Sequence, residues 1–198
     1  MPLHLPPAPA AGLRSVRTAL ASPTAVHEAP TPALRTARGP LIAEPGLPVH
    51  VLDPTAPRSA GRTRLNSWRF TIRNGDRPLA VGEARLTADG WTFSHFFEGP
   101  YVNAADRALH EADALSTPYQ ARLLSVPALY MLMLWLHTDV ADMAAESALG
   151  EQDLLVPLAP APPGFTAYLP LRAAQFLPVL ERRLAPPVSP AGLLDSLA

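Results

Sequence analysis

The chain contains no cysteine and no lysine, and each absence excludes whole classes of chemistry. Without cysteine it cannot form a disulfide, use a thiolate nucleophile, or hold zinc or an iron–sulfur cluster through its own thiolates. Without lysine it cannot form a Schiff base, and mechanisms that need a P-loop lysine or a kinase lysine are excluded too. All 16 basic residues are arginine, a bias typical of a GC-rich genome rather than of a function.

Long hydrophobic runs are also missing. The longest, from Val126 to Leu136, spans 11 residues, which is fewer than the ~18 of a membrane-spanning helix. The N-terminal region lacks an apolar run of the ~7–15 residues that a signal peptide needs. We therefore expect a cytoplasmic protein that does not contact a membrane.

The composition predicts one folded domain with tails. The 198 residues are 48% hydrophobic and 17% charged, with a net charge of −1, so the chain is too apolar to be wholly disordered. Twelve of the 25 prolines fall within residues 1–61. We predict a disordered or extended Pro/Ala-rich leader over residues 1–40, a single α+β domain over residues 41–185 and a tail over residues 186–198.

The clearest pattern in the chain is the alternation between Leu65 and Glu98. Trp68, Phe70 and Ile72 alternate with polar residues, as in a strand with one buried face. Asn74-Gly75 and Asp89-Gly90 are typical of two-residue hairpin turns, and they separate this strand from two further alternating segments. The sequence predicts an antiparallel meander of three strands, or of four if residues 48–53 join it.

The second half of the chain is predicted to be helical. Asn103 is a candidate N-cap for a helix with an apolar stripe, and a last helix is expected over residues 171–184. From Leu129 to Met143 the apolar positions step by four and three, which favours a helix, although residues 129–136 could instead form a strand. The predicted fold class is α+β, with the antiparallel β-meander of three to four strands packed against C-terminal helices.

The charge is distributed unevenly. Residues 58–85 carry seven arginines against two acids, while residues 103–153 carry two arginines against eight acids. A basic sheet surface could bind an anionic ligand or an acidic protein, and nucleic acid is the weaker alternative. The candidate binding residues on this surface are Arg69, Arg73 and Arg85.

Histidines and carboxylates give further candidate sites. His95 alternates in phase with Trp91 and could line a pocket between the sheet and the helices, although a core histidine is the more common arrangement. Two polar patches are more simply explained as solvated surface than as ligand sites. These patches are Asp106, His110 and Asp113, and His137, Asp139 and Asp142. Their spacing matches no metal motif, so no metal or cofactor is expected.

No catalytic motif is present, and no set of residues supports a resemblance to a known family. There is no G-x-S-x-G, no G-x-G-x-x-G and no H-E-x-x-H. The sequence favours a non-enzymatic binding or accessory protein that acts through protein contacts or self-association. Tyr130 and Trp135 are candidate contact residues within the apolar run. The alternatives are a small-ligand enzyme or binder with a pocket near His95, and, more weakly, a nucleic-acid accessory protein.

Overall fold

The computed structural model describes residues 3–53 and 61–184 of the chain. Within these residues one mixed β-sheet of 11 strands is accompanied by five α-helices. The strands are β1 (Leu3–His4), β2 (Ile42–Ala43), β3 (Leu47–Leu52), β4 (Arg62–Asn74), β5 (Arg77–Thr87), β6 (Gly90–Phe97), β7 (Tyr119–Val126), β8 (Met131–His137), β9 (Glu146–Ala148), β10 (Leu154–Pro157) and β11 (Leu171–Arg172). The helices are α1 (Ala10–Leu20), α2 (Pro23–Glu28), α3 (Pro32–Thr36), α4 (Pro100–Asp113) and α5 (Ala173–Leu184).

Eight strands form the body of the sheet, in the order β11, β10, β8, β7, β3, β4, β5 and β6. Along this order the neighbours are antiparallel except for β3 and β7, which pair in parallel. The short strands β1 and β9 add to β7 and β4, and β2 adds to the far end of β4. The predicted fold class is therefore wrong, because a meander of three to four strands is only one end of a much larger mixed sheet.

The strands of that meander lie close to where the alternation predicts them, but both turns are shifted by one residue. Asn74 pairs with Arg77, so the first turn consists of Gly75 and Asp76, and Gly75 has the positive φ of +58° that the turn requires. Thr87 pairs with Gly90, which makes Ala88 and Asp89 the second turn.

The favoured prediction of a helix between Leu129 and Met143 is wrong. The middle of this segment forms the strand β8 instead. All seven residues of β8 are buried. Alternate residues enter two different hydrophobic clusters, with Leu134 on one side of the sheet and Met133 on the other. A strand covered on both faces is apolar at every position, so it lacks the alternation that identifies a half-exposed strand.

Helix α4 covers one face of the sheet, which we call the α4 face. Its small residues Ala104, Ala108 and Ala112 are buried against residues such as Leu123 of β7 and Leu134 of β8. Alanines allow the helix backbone to approach the sheet closely. The helix begins at Pro100 with Gly99 as its N-cap residue, four residues before the predicted cap at Asn103.

The N-terminal region covers part of the opposite face, where the sequence predicted an extended or disordered leader. Helix α1 packs on β5 and β6, and Val16 is fully buried beside Phe70 and other aromatic residues of the meander. A Cβ atom on Gly82 would lie 2.6 Å from Cγ1 of Val16, so this close approach requires glycine. The sequence predicted that C-terminal helices cover the aromatic face. That prediction is wrong, because the N-terminal helices bury this face.

The rest of the opposite face is covered by α5. Phe176 and Leu180 of this helix are fully buried against β7, β8 and β10. Helices from both ends of the described chain, α1 and α5, therefore pack on the same side of the sheet. The proline-rich sequence near the termini does not predict this arrangement. Among the described residues, no helix is both long enough and apolar enough to cross a membrane.

Candidate functional site

A β-bulge decides which way the side chains of β6 point. Glu83 of β5 pairs with His95 and the next residue, Ala84, pairs with Phe93, so Ser94 is an extra residue in β6. Trp91 and Phe93 consequently pack with the aromatic core of the opposite face, whereas the exposed His95 turns to the α4 face. The prediction that His95 shares a face with Trp91 is wrong, so the two residues cannot together line the predicted pocket between the sheet and the helices.

On the α4 face, the carboxylate of Glu83 holds two of the candidate arginines. Nε of Arg69 donates to Oε2 of Glu83 at 3.1 Å, and Nε of Arg85 donates to Oε1 at 2.7 Å. The Glu83 side chain is only 3% exposed, whereas that of Arg85 is 53% exposed. A buried carboxylate thus orients two guanidinium groups toward the surface.

Two aromatic rings lie beside these arginines. The guanidinium carbon of Arg69 lies 4.9 Å from the ring centroid of Phe97, within the range of a cation–π contact. The rings of His95 and Phe97 are 5.4 Å apart. We call the group of Arg69, Glu83, Arg85, His95 and Phe97 the arginine surface.

Arg73, the third candidate arginine, is part of a different contact. Its Nε donates to Glu44 at 2.7 Å, its Nη2 pairs with Asp106 of α4, and its Nη1 donates to the carbonyl of Asp76 at 2.5 Å. These neighbours raise the pKa of Arg73 against the opposing effect of burial. The ion pair anchors α4 to the sheet, so Arg73 has a structural partner.

The arginine surface borders the free edge of the sheet. Strand β6 pairs only with β5, and its backbone forms no hydrogen bond to any other strand in the described part of the chain. Its eight residues include no Asp, Glu, Arg or Pro. The opposite end of the sheet is closed differently, because β11 has two residues and leads directly into α5.

Tyr130 is exposed beside a groove. It is 91% exposed and adopts a left-handed conformation with a φ of 50° in the turn between β7 and β8. The hydroxyl of Tyr101 donates to its carbonyl at 3.0 Å. The structure brings Tyr130 and Arg69 together in this groove of about 240 Å³, whose other lining residues are Tyr101, Ser125, Pro127, Met131 and Leu132.

Trp135, in contrast, is fully buried in a polar cluster on the opposite face and is not available to a partner. Its ring is flanked by His50 at 5.2 Å and His137 at 5.1 Å, and the guanidinium of Arg122 lies 4.9 Å from its centroid. Its Nε1 donates to Asp153 at 2.7 Å. The strand β8 around Trp135 is therefore part of the core, whereas Tyr130 of the same apolar run is exposed.

Asp153 is the centre of this cluster. Its carboxylate accepts hydrogen bonds from Trp135, from Nδ1 of His137 at 2.8 Å, from the backbone and hydroxyl of Thr138, and from the backbone of Gly150. Burial alone would raise the pKa of Asp153, but the hydrogen bonds outweigh it and lower the pKa to about 2. Five hydrogen bonds thus engage both oxygens of this carboxylate.

Arg122 and Asp142 connect the cluster to the segment between β8 and β9. Nη2 of Arg122 donates to the carbonyl of Asp142 at 2.6 Å and lies 3.1 Å from its carboxylate, which is also 3.3 Å from Nε2 of His137. Burial raises the pKa of Asp142, but bonds from Ala144, Ser147 and Arg122 lower it overall.

His50 completes the cluster. Its Nδ1 lies 3.3 Å from the hydroxyl of Thr63, and this hydroxyl donates to the carbonyl of Ser147 at 3.2 Å. Burial and the nearby charge of Arg122 lower the pKa of His50 to about 3, so it stays neutral at physiological pH. Most polar atoms of the cluster are paired with one another, but the buried Nη1 of Arg122 has no hydrogen-bond partner among the described residues.

Sequence reasoning found only one side of this cluster. The predicted polar patch does bring His137 and Asp142 together, but their further partners Asp153 and Arg122 lie 16 and 20 residues away, where no local spacing relates them. Of the other predicted patch, Asp106 contacts Arg73, whereas His110 is exposed. Within residues 3–53 and 61–184, no three His, Cys, Asp or Glu side chains are arranged to hold a metal ion.

No protein-family model matches the chain, and no curated protein or solved structure matches it either.

Proposed function

We propose that the chain is a non-enzymatic binding protein that acts in the cytoplasm through protein–protein contacts, with the free edge of β6 as its docking site. The observation that carries the proposal is the eight-residue outer edge of β6, which has no backbone partner in the described residues and contains neither charge nor proline. An extended segment of a partner would add to this edge as a further strand.

The physical argument is that exposed edges are hazardous. An unpaired row of N–H and C=O groups templates pairing with any extended chain, and natural proteins protect such edges with charges, proline, bulges or short strands. At the other end of the sheet, β11 is short. On β6 the bulge at Ser94 is the only such device, so a partner strand on this edge explains its composition.

The charges at the two ends of β6 help to decide whether a second copy of this chain or a different protein binds its edge. If β6 paired antiparallel with β6 of a second copy about its middle, Asp89 at one end would approach Glu98 at the other end, which places like charges together. A segment from a different protein is not subject to this restriction. We therefore favour a heterologous partner over self-association.

The basic surface supports a nucleic-acid ligand less well than the sequence suggests. Arg69 and Arg85 share Glu83, and Arg73 is held by Glu44 and Asp106, so each of these arginines already has an acidic partner. Nucleic-acid binding would need several uncompensated cations in a row. The structure supplies at most one net charge in the arginine surface.

The test compares two lysine substitutions that add the same charge. Ser94→Lys places a charge on the exposed edge of β6, whereas Ala88→Lys places it in the adjoining exposed turn, off the edge. Tagged wild-type, S94K and A88K chains would be purified from the native cells, and their co-purifying proteins quantified by mass spectrometry. We expect a protein retained by wild type and A88K and lost with S94K. The same proteins on all three chains would contradict the proposal.

A further inference from the structure

We infer that the segment received by β6 is acidic, and that an Asp or Glu side chain on its α4 side binds the guanidinium group of Arg85. This inference rests on the proposed docking at β6 and adds the chemistry that selects the partner. It depends on how Glu83 divides its two oxygens between Arg69 and Arg85.

The bond to Glu83 uses only part of the Arg85 guanidinium. An arginine has five N–H donors, and Glu83 accepts the one on Nε. Within the described residues, Arg85 forms no other hydrogen bond or ion pair, so its terminal nitrogens remain open to a ligand. A carboxylate is the ligand that matches two parallel guanidinium donors.

The single negative charge of Glu83 cannot neutralise both Arg69 and Arg85. Arg69 is less exposed than Arg85, with 23% of its side chain accessible, and it also lies against Phe97. Arg69 therefore serves as the counterion of the buried Glu83. The second guanidinium then carries one uncompensated positive charge at the surface, next to the edge.

The pairing of the strands places Arg85 within reach of the edge. Arg85 lies opposite Thr92 of β6, and Glu83 lies opposite His95. Thr92 is the residue between Arg85 and the added strand, and its side chain is short. Successive side chains of a strand alternate between faces, so every second residue of the partner would lie on the arginine side.

Three peptides test the inference. Each is a fluorescein-labelled decamer in which threonine alternates with glutamate, with glutamine or with lysine, and binding is followed by fluorescence anisotropy. The glutamine peptide measures docking on the edge without charge. We expect the glutamate peptide to bind about tenfold more tightly than the glutamine peptide, which is the contribution typical of one charge-assisted pair.

Matched variants assign that difference to Arg85. Arg85→Gln should remove the preference for glutamate, whereas Arg77→Gln, an exposed arginine on the same strand beyond the end of β6, should keep it. Raising the salt concentration should reduce the preference as well. Ser94→Lys should weaken the uncharged glutamine peptide if it lies on the edge, because the lysine disfavours strand pairing there without attracting that peptide.

The outcomes separate the two proposals. Equal binding of the glutamate and glutamine peptides, or tighter binding of the lysine peptide, overturns the acidic preference and leaves the docking edge intact. A glutamate preference that survives Arg85→Gln also overturns the inference. If none of the peptides binds, or if Ser94→Lys has no effect on the glutamine peptide, the docking edge itself is contradicted.

Discussion

Nδ1 of His137 lies 2.8 Å from Oδ2 of Asp153, across the 16 residues that separate β8 from the approach to β10. The same carboxylate oxygen receives the indole N–H of Trp135 and the backbone N–H of Gly150. One buried side chain directly before β10 thus connects the strand β8 with the turn at Gly150 after β9. The first two predictions follow from this arrangement.

Asp153→Asn should destabilise the protein strongly. In the asparagine, an NH2 group replaces one oxygen of the carboxylate. This NH2 group would face N–H or O–H donors that now bond to that oxygen. We expect the free energy of unfolding to fall by about 3 kcal/mol, because buried donors lose the charged oxygen that accepts their hydrogen bonds. Urea denaturation measures it, with the exposed Asp76→Asn as the matched control. A loss below 1 kcal/mol would mean that the cluster contributes little.

Asp153 should also make the protein sensitive to acid. Its pKa in the folded state is about 2, below the value of 3.8 in the unfolded chain. The stabilisation is therefore complete above about pH 4 and is lost as the pH falls toward 2, with a total of about 2 kcal/mol. Urea midpoints for wild type should fall over this range. Those of Asp153→Asn should fall less steeply.

His50 should govern stability at a higher pH. Its pKa is about 3 in the folded protein and 6.5 when unfolded, so below pH 6.5 the unfolded chain binds a proton that the folded protein does not. The contribution of His50 to the free energy of unfolding is fully present above pH 6.5. It is lost as the pH falls toward 3, by about 1.4 kcal/mol per pH unit. His50→Asn should flatten the curve between pH 6 and pH 4. The exposed His110→Asn is the matched control.

Gly82→Ala should weaken the attachment of α1 to the sheet. The added methyl would lie 2.6 Å from Cγ1 of Val16, so the helix must shift. We expect a loss of about 1–3 kcal/mol in the free energy of unfolding. The double variant Val16→Ala/Gly82→Ala should lose less than the sum of the two single variants. Additive losses would show that α1 does not pack on Gly82.

The three strands between Leu65 and Glu98 could be located from sequence because one face is buried and the other polar. The position of His95 could not, because a single extra residue at Ser94 reverses the alternation without leaving any pattern of its own. The sequence favours a helix at β8, because a strand that is buried on both faces does not alternate between apolar and polar residues. Helices α2 and α3 are short and begin with proline, and α1 begins directly after Pro9, so the composition of this region is that of a linker.

The candidate site shows the same division. Charge alone makes Arg69 and Arg85 candidates, but nothing in the sequence indicates that they share the buried carboxylate of Glu83. Contacts such as Arg122–Asp142 and His137–Asp153 join segments that only the folded chain brings together. Local spacing carries no record of such contacts, whereas the hairpins between β4, β5 and β6 are local.

The central claim is that the outer edge of β6 is unpaired and open to a partner strand. Amide hydrogen exchange of the full chain, followed by NMR with and without the threonine–glutamate peptide, tests it directly. We predict that the outward-facing amides of β6 exchange much faster than those bonded to β5, and that saturating peptide slows them. Slow exchange of every β6 amide in the free monomer, or rates that the peptide leaves unchanged, would contradict the account.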